Sequence, residues 1–137
     1  MTKSPAKSSW QRALLFVGSA LDKKASDLVL LEVREFTSIA DYFIICSGRS
    51  DRQVQSIAQG IQESAHQAGI APSSVEGMGR GHWVLMDFAD VIVHIFYQPV
   101  REFYDLEALW SDAPRVELPK PYSVLIDQFQ TAADQLS

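Results

Sequence analysis

A chain of 137 residues with 47% hydrophobic and 21% charged side chains is the size of one domain with a real core, which excludes disorder throughout. Its longest apolar stretches, 28–31 and 91–93 with 95–97, are far short of a membrane span, and the lone cysteine, Cys46, excludes an internal disulfide and suits the reducing cytoplasm. The net charge of −5 is localised: residues 83–117 hold seven acids against Arg101 and Arg115, a deficit equal to that of the whole chain, whereas residues 1–34 are positive. An acidic segment is repelled by phosphate backbones, so it counts against nucleic acid as its direct partner and favours a basic protein surface.

Residues 1–9 are polar, with two lysines and a proline, and read as a flexible tail. Ser8 or Ser9 caps a helix from about Trp10 to Lys24, whose apolar positions Trp10, Ala13, Leu14, Val17 and Leu21 recur every three or four residues. Leu28 to Val33 and Asp41 to Ser47 form two strands, the second closed by Gly48. Ser50-Asp-Arg-Gln53 has the pattern of a capping box, and Val54, Ile57, Ala58, Ile61, Ala65 and Ala68 mark the helix that follows, ended by Gly69.

Val75 lies in a short third strand, and after a glycine-rich loop Trp83 to Phe88 and Val91 to Tyr97 flank Ala89-Asp90 as a tight hairpin. Pro99 opens one further helix through about Trp110. Residues 118–137 form a C-terminal extension in which Leu125, Phe129, Ala132 and Leu136 allow an amphipathic helix. The order α-β-β-α-β-β-β-α specifies an α/β fold with a mixed β-sheet of about five strands flanked by helices; the second helix serves as a crossover between parallel strands.

No catalytic set assembles from these residues. Gly77, Gly79 and Gly81 precede a strand, whereas a dinucleotide cradle needs the N–H groups of a helix start after its glycines. The Ser47-Gly48-Arg49-Ser50 turn has a geometry suited to an anion, yet nucleotidyl transfer also needs carboxylates converging on metal, and the chain has no Asp-x-Asp. Cys46 sits in an apolar strand, and His66, His82 and His94 lack ligand spacing, so neither a catalytic residue nor a metal or cofactor site is expected. What remains is an aromatic and acidic cluster. Trp83, Phe88, Phe103, Tyr104 and Trp110 interleave with Asp87, Asp90, Glu102, Asp105 and Glu107, and aromatic anchors of this kind concentrate binding energy at interfaces.

The ordered set of Ala25-Ser-Asp27, Asp41-Tyr-Phe-Ile-Ile-Cys-Ser-Gly48, Ser50-Asp-Arg-Gln-Val54, Val75-Glu-Gly77, Trp83-Val-Leu-Met-Asp87, Asp90-Val-Ile-Val-His94 and Arg101 to Trp110 resembles the ribosomal silencing factor, or Iojap-like, family over about residues 13–117. The resemblance implies a domain over residues 10–117 with a nucleotidyltransferase-like fold and no working active site. It also implies binding to protein fourteen of the large ribosomal subunit, which sterically blocks joining of the small subunit and represses translation. A homodimer in the free state is implied as well; a nucleotidyltransferase-like enzyme with an unidentified acceptor is the alternative. Partner binding is expected at Trp83, Asp87, Phe88, Asp90, Tyr104, Glu107, Leu109 and Trp110. Ala89 departs from the glycine usual in the family, and because alanine tolerates positive φ poorly, a different hairpin turn is expected there.

Overall fold

The computed structural model describes residues 8–129. Most of the N-terminal tail and the expected helical positions Ala132 and Leu136 lie outside the described residues. Helix α1 (Ser9–Asp22) begins with a full capping box: Ser8 Oγ accepts the Gln11 N–H, and Gln11 Oε1 accepts the Ser8 N–H. Helix α2 (Asp51–Gln67) has only half of one. Ser50 Oγ accepts the Gln53 N–H, but the Gln53 side chain accepts from the Arg49 N–H and donates to the carbonyls of Lys23 and Lys24. The residue that would have closed the box instead ties the start of α2 to the end of α1.

The five strands are β1 (Ser26–Glu32), β2 (Tyr42–Gly48), β3 (Ser74–Glu76), β4 (Trp83–Asp87) and β5 (Val91–Tyr97), in the spatial order β1-β2-β5-β4-β3. Only β2 and β5 run parallel; the other pairs are antiparallel. Strand β2 lies inside the sheet between β1 and β5 and is buried throughout, as its unbroken apolar run requires. The outer edge of β1 is covered by the chain itself: Val116 N–H donates to Leu30 and Glu32 N–H to Pro114.

One face of the sheet packs on α1 and α2 through Phe16, Val17, Ile57 and Ile61 against Leu30, Ile44, Val84, Met86, Val93 and Ile95. A short helix α5 (Tyr122–Gln128) extends this layer, with Leu125, Ile126 and Phe129 packed against the same core. The opposite face carries the smaller cluster of Leu31, Val33, Phe43, Ile45, Ile92 and Phe96.

Two further local expectations fail. The helix expected from Pro99 to Trp110 is two pieces, α3 (Gln98–Tyr104) and α4 (Leu106–Leu109), broken where Asp105 turns left-handed at φ 46°. Ala89 does adopt positive φ, 75°, rather than giving way to another turn. The Asp90 N–H donates to the Phe88 carbonyl two residues back, which makes Ala89 the centre of a strained γ-turn. Asp87 Oδ1 accepts the Ala89 N–H at 2.8 Å and helps hold it.

Candidate docking surface

Alternation along the strands places Trp83, Leu85 and Asp87 of β4 on the same face as His94 and Phe96 of β5 and Phe43 and Ile45 of β2. Helices α3 and α4 and the turn after them roof only part of this face, with Val100, Leu106, Trp110 and Ala113 against the central strands. The Trp110 ring meets Phe43 edge-on at 4.8 Å. Towards β4 the roof ends, and Trp83, Leu85 and Asp87 are left half-buried.

At this margin the corner between α3 and α4 turns apolar groups outward. Phe103 is 80% exposed, Leu109 78% and Tyr104 54%. Behind them Trp83 lies between Phe96 at 4.8 Å and Tyr104 at 5.1 Å, and Phe103 meets Tyr104 edge-on at 5.0 Å. The Trp83 Nε1–H donates to Nδ1 of His94, so the rings form one connected, largely rigid platform. Exposing large apolar groups to water is unfavourable, and their clustering makes this corner the candidate docking surface.

The corner is fixed from below by Arg101, a buried arginine whose donors are engaged. Its Nε and Nη2 grip both oxygens of Glu107 at 3.0 and 3.1 Å, and its Nη1 donates to Ser47 Oγ and the Asp27 carbonyl, each at 2.8 Å. The Asp27 carbonyl is available because β1 bulges between Ser26 and Val29, with Asp27 itself at φ 50°. The break at Asp105 has the same origin: a continuous helix would set Glu107 by local pitch, whereas the break lets it turn back onto Arg101.

Of the residues singled out in sequence, Trp83 and Tyr104 belong to this platform and Trp110 to its roof, and Leu109 stands exposed on α4. The structure departs from expectation at Phe88, which is 2% exposed and stacked on Phe16 at 4.3 Å in the core of the other layer. The three acids named there have partners within the chain. Asp87 caps the hairpin turn, Asp90 pairs with Arg12 of α1 at 2.9 Å, and Glu107 is held by Arg101 and, at 3.4 Å, by Arg115. The acids of the segment left exposed are Glu102, Asp105 and Asp112 along α3, α4 and the turn after them, and Glu117 beyond. Phe103, of the aromatic cluster in the sequence though not among the eight expected contacts, completes the platform with Leu85 and His94, which the sequence reading does not include; the strand parity of Trp83, Leu85 and Asp87 is the signal for Leu85.

Among the described residues no three His, Cys, Asp or Glu side chains gather as metal ligands. Burial pushes the Cys46 thiol up to about 12, against the pull of the Arg101 charge, so it is neutral and unreactive at physiological pH. Gly77 and Gly81 hold positive φ where a side chain would strike the Trp83 carbonyl and the Asp51 backbone, which makes their loop a packing device for the start of β4. Ser47 Oγ, at the turn weighed as an anion site, is occupied by Arg101. No helix among the described residues is long and apolar enough to cross a membrane.

Residues 6–136 match the family described as ribosomal silencing factor during starvation. The chain is 43% identical over 110 residues to the ribosomal silencing factor of Bacillus subtilis, covering 79% of this chain and 93% of the relative. It is 33% identical over 102 residues to the chloroplastic protein Iojap of Arabidopsis thaliana, covering 73% of this chain and 42% of that protein. A crystal structure of a Bacillus halodurans protein superposes with a TM-score of 0.73 at 39% identity, covering 80% of this chain and 99% of the other. One of a Chromobacterium violaceum protein superposes with a TM-score of 0.76 at 31% identity, covering 86% and 99%.

Proposed function

The chain belongs to the ribosomal silencing factor family, and from that premise we propose that it represses translation by seating the Trp83–Tyr104 platform and the exposed Leu109 on protein fourteen of the large ribosomal subunit. The bound domain then stands where the small subunit would dock. The observation that carries this reading is the outward set of Phe103, Tyr104 and Leu109 on a sheet face left half-roofed. Apolar rings supply desolvated anchors, and the exposed Glu102, Asp105 and Asp112 steer the encounter with a basic protein.

Blocking by bulk makes and breaks no bond, so occupancy and residence time set the effect and the protein acts as a binding module rather than an enzyme. In the free state a second copy of the chain would shield the same rings, a dimer that sedimentation of the purified protein registers. The test is subunit joining: purified large and small subunits are mixed with excess protein and resolved by sedimentation. Joined particles should fall with increasing protein. Undiminished joining at saturating protein rules the proposal out.

A further inference from the structure

The described residues of this acidic chain hold ten lysines and arginines, and they divide sharply by environment. Four arginines are in ion pairs: Arg12 with Asp90, Arg34 with Glu32, and Arg101 and Arg115 with Glu107. Of the six cations outside those pairs, Lys120 stands in the proline-rich segment, and the other five, Lys23, Lys24, Arg49, Arg52 and Arg80, are all exposed.

Those five converge on one end of the fold. Lys23 and Lys24 end α1, where Gln53 binds both their carbonyls and also accepts the Arg49 N–H. Lys24 and Arg49 line one shallow depression, Arg52 is on the first turn of α2, and Gly81 sets Arg80 next to that turn by packing on the Asp51 backbone. Against these five charges the same turns carry only Asp22 and Asp51. This end is where the parallel strands β2 and β5 finish, and it is contiguous with the platform, since Arg80 is three residues before Trp83.

We propose that this basic end binds the phosphate backbone of large-subunit ribosomal RNA while the aromatic platform engages its protein partner. This rests on the docking reading above and adds a second contact of different chemistry. Folding has satisfied the four other arginines with carboxylates and left five exposed cations around one rim, the Lys23 stem lying along Gly60 of α2, against a net charge of −5 for the whole chain. Flexible ammonium and guanidinium groups spread over one rim suit a line of phosphates, which needs charge and reach but no fixed pocket. A footprint at the junction of a ribosomal protein and RNA presents both chemistries side by side. The overall acidic charge that argued against nucleic acid is thus an average over two unlike surfaces.

The test uses the full chain with Arg49→Gln, Arg52→Gln and Arg80→Gln combined, all at exposed positions, and compares two ligands. Against whole large subunits near 0.1 M salt the triple variant should bind at least tenfold more weakly, and the slope of log affinity against log salt should fall by about two to three. Against isolated protein fourteen it should bind as the unsubstituted chain does. Unchanged affinity and slope on whole subunits would overturn the inference, and so would an equal loss on the isolated protein, which would assign the rim to a protein contact. Failure of the unsubstituted chain to bind isolated protein fourteen would instead strike the docking reading, and is read separately.

Discussion

The indole N–H of Trp83 donates to Nδ1 of His94 at 3.3 Å, which makes Nδ1 the bare nitrogen and leaves the His94 proton on Nε2. Nε2 is buried without a partner among the described residues, and the ring lies against Phe43, Trp83 and Phe96. Charging this imidazole would add a proton at the very nitrogen that receives the indole, in a setting with no carboxylate paired to it. Burial accordingly lowers its pKa from 6.5 to about 4.

A folded-state value below the unfolded one means that the unfolded chain holds the proton more tightly. The His94 contribution is therefore full above about pH 6.5 and erodes as pH falls towards 4, to a total of about 3 kcal/mol. Denaturant unfolding at several pH values should show this loss, and His94→Gln should show a shallower decline over the same window. Parallel profiles for the two proteins would mean that His94 does not carry the acid sensitivity.

Arg101 and Glu107 should behave as a buried pair whose halves cannot be removed singly. Arg101→Ala leaves the Glu107 carboxylate, Ser47 and the Asp27 carbonyl without their donors, and should cost about 3–5 kcal/mol. Glu107→Gln keeps one acceptor for the guanidinium and should cost less. Equal, small losses in urea unfolding would show that the α3–α4 corner does not depend on this latch.

Ala89→Gly should stabilise the protein, against the usual direction for such a change. Relief of the left-handed alanine exceeds the added freedom of glycine in the unfolded chain, for a net gain of about 0.5–1 kcal/mol. A lower midpoint in thermal unfolding would contradict this.

Cys46 should resist thiol reagents in the native protein at pH 7–8, because its side chain is fully buried and its thiol neutral. Labelling should proceed at the rate of unfolding and become immediate in denaturant. Rapid labelling of the native protein would show that the β2 core opens locally.

The elements were legible where local pattern decides them: the capped α1, the apolar β2 and the hairpin on either side of Ala89 stand where periodicity places them. The failures are tertiary. Asp105 breaks the last helix because Arg101, six residues from Glu107, is itself anchored to Ser47 and Asp27, distant in sequence. Asp90 appears available until Arg12, 78 residues away, is placed on it. Phe88 is legible in the sequence, since it shares the parity of Val84 and Met86 and so points into the α1 layer. The same tertiary placement gathered the free cations on one rim, which net charge alone conceals.

Docking through the exposed corner is tested most directly by Phe103→Asp with Leu109→Asp, two positions whose side chains are mostly in water and contribute little to the core. The double variant should unfold at the same denaturant concentration as the original chain, yet lose co-sedimentation with large subunits by at least tenfold and cease to inhibit subunit joining. Retained co-sedimentation and inhibition in a folded double variant would contradict docking at this corner and locate the ribosome contact elsewhere on the domain.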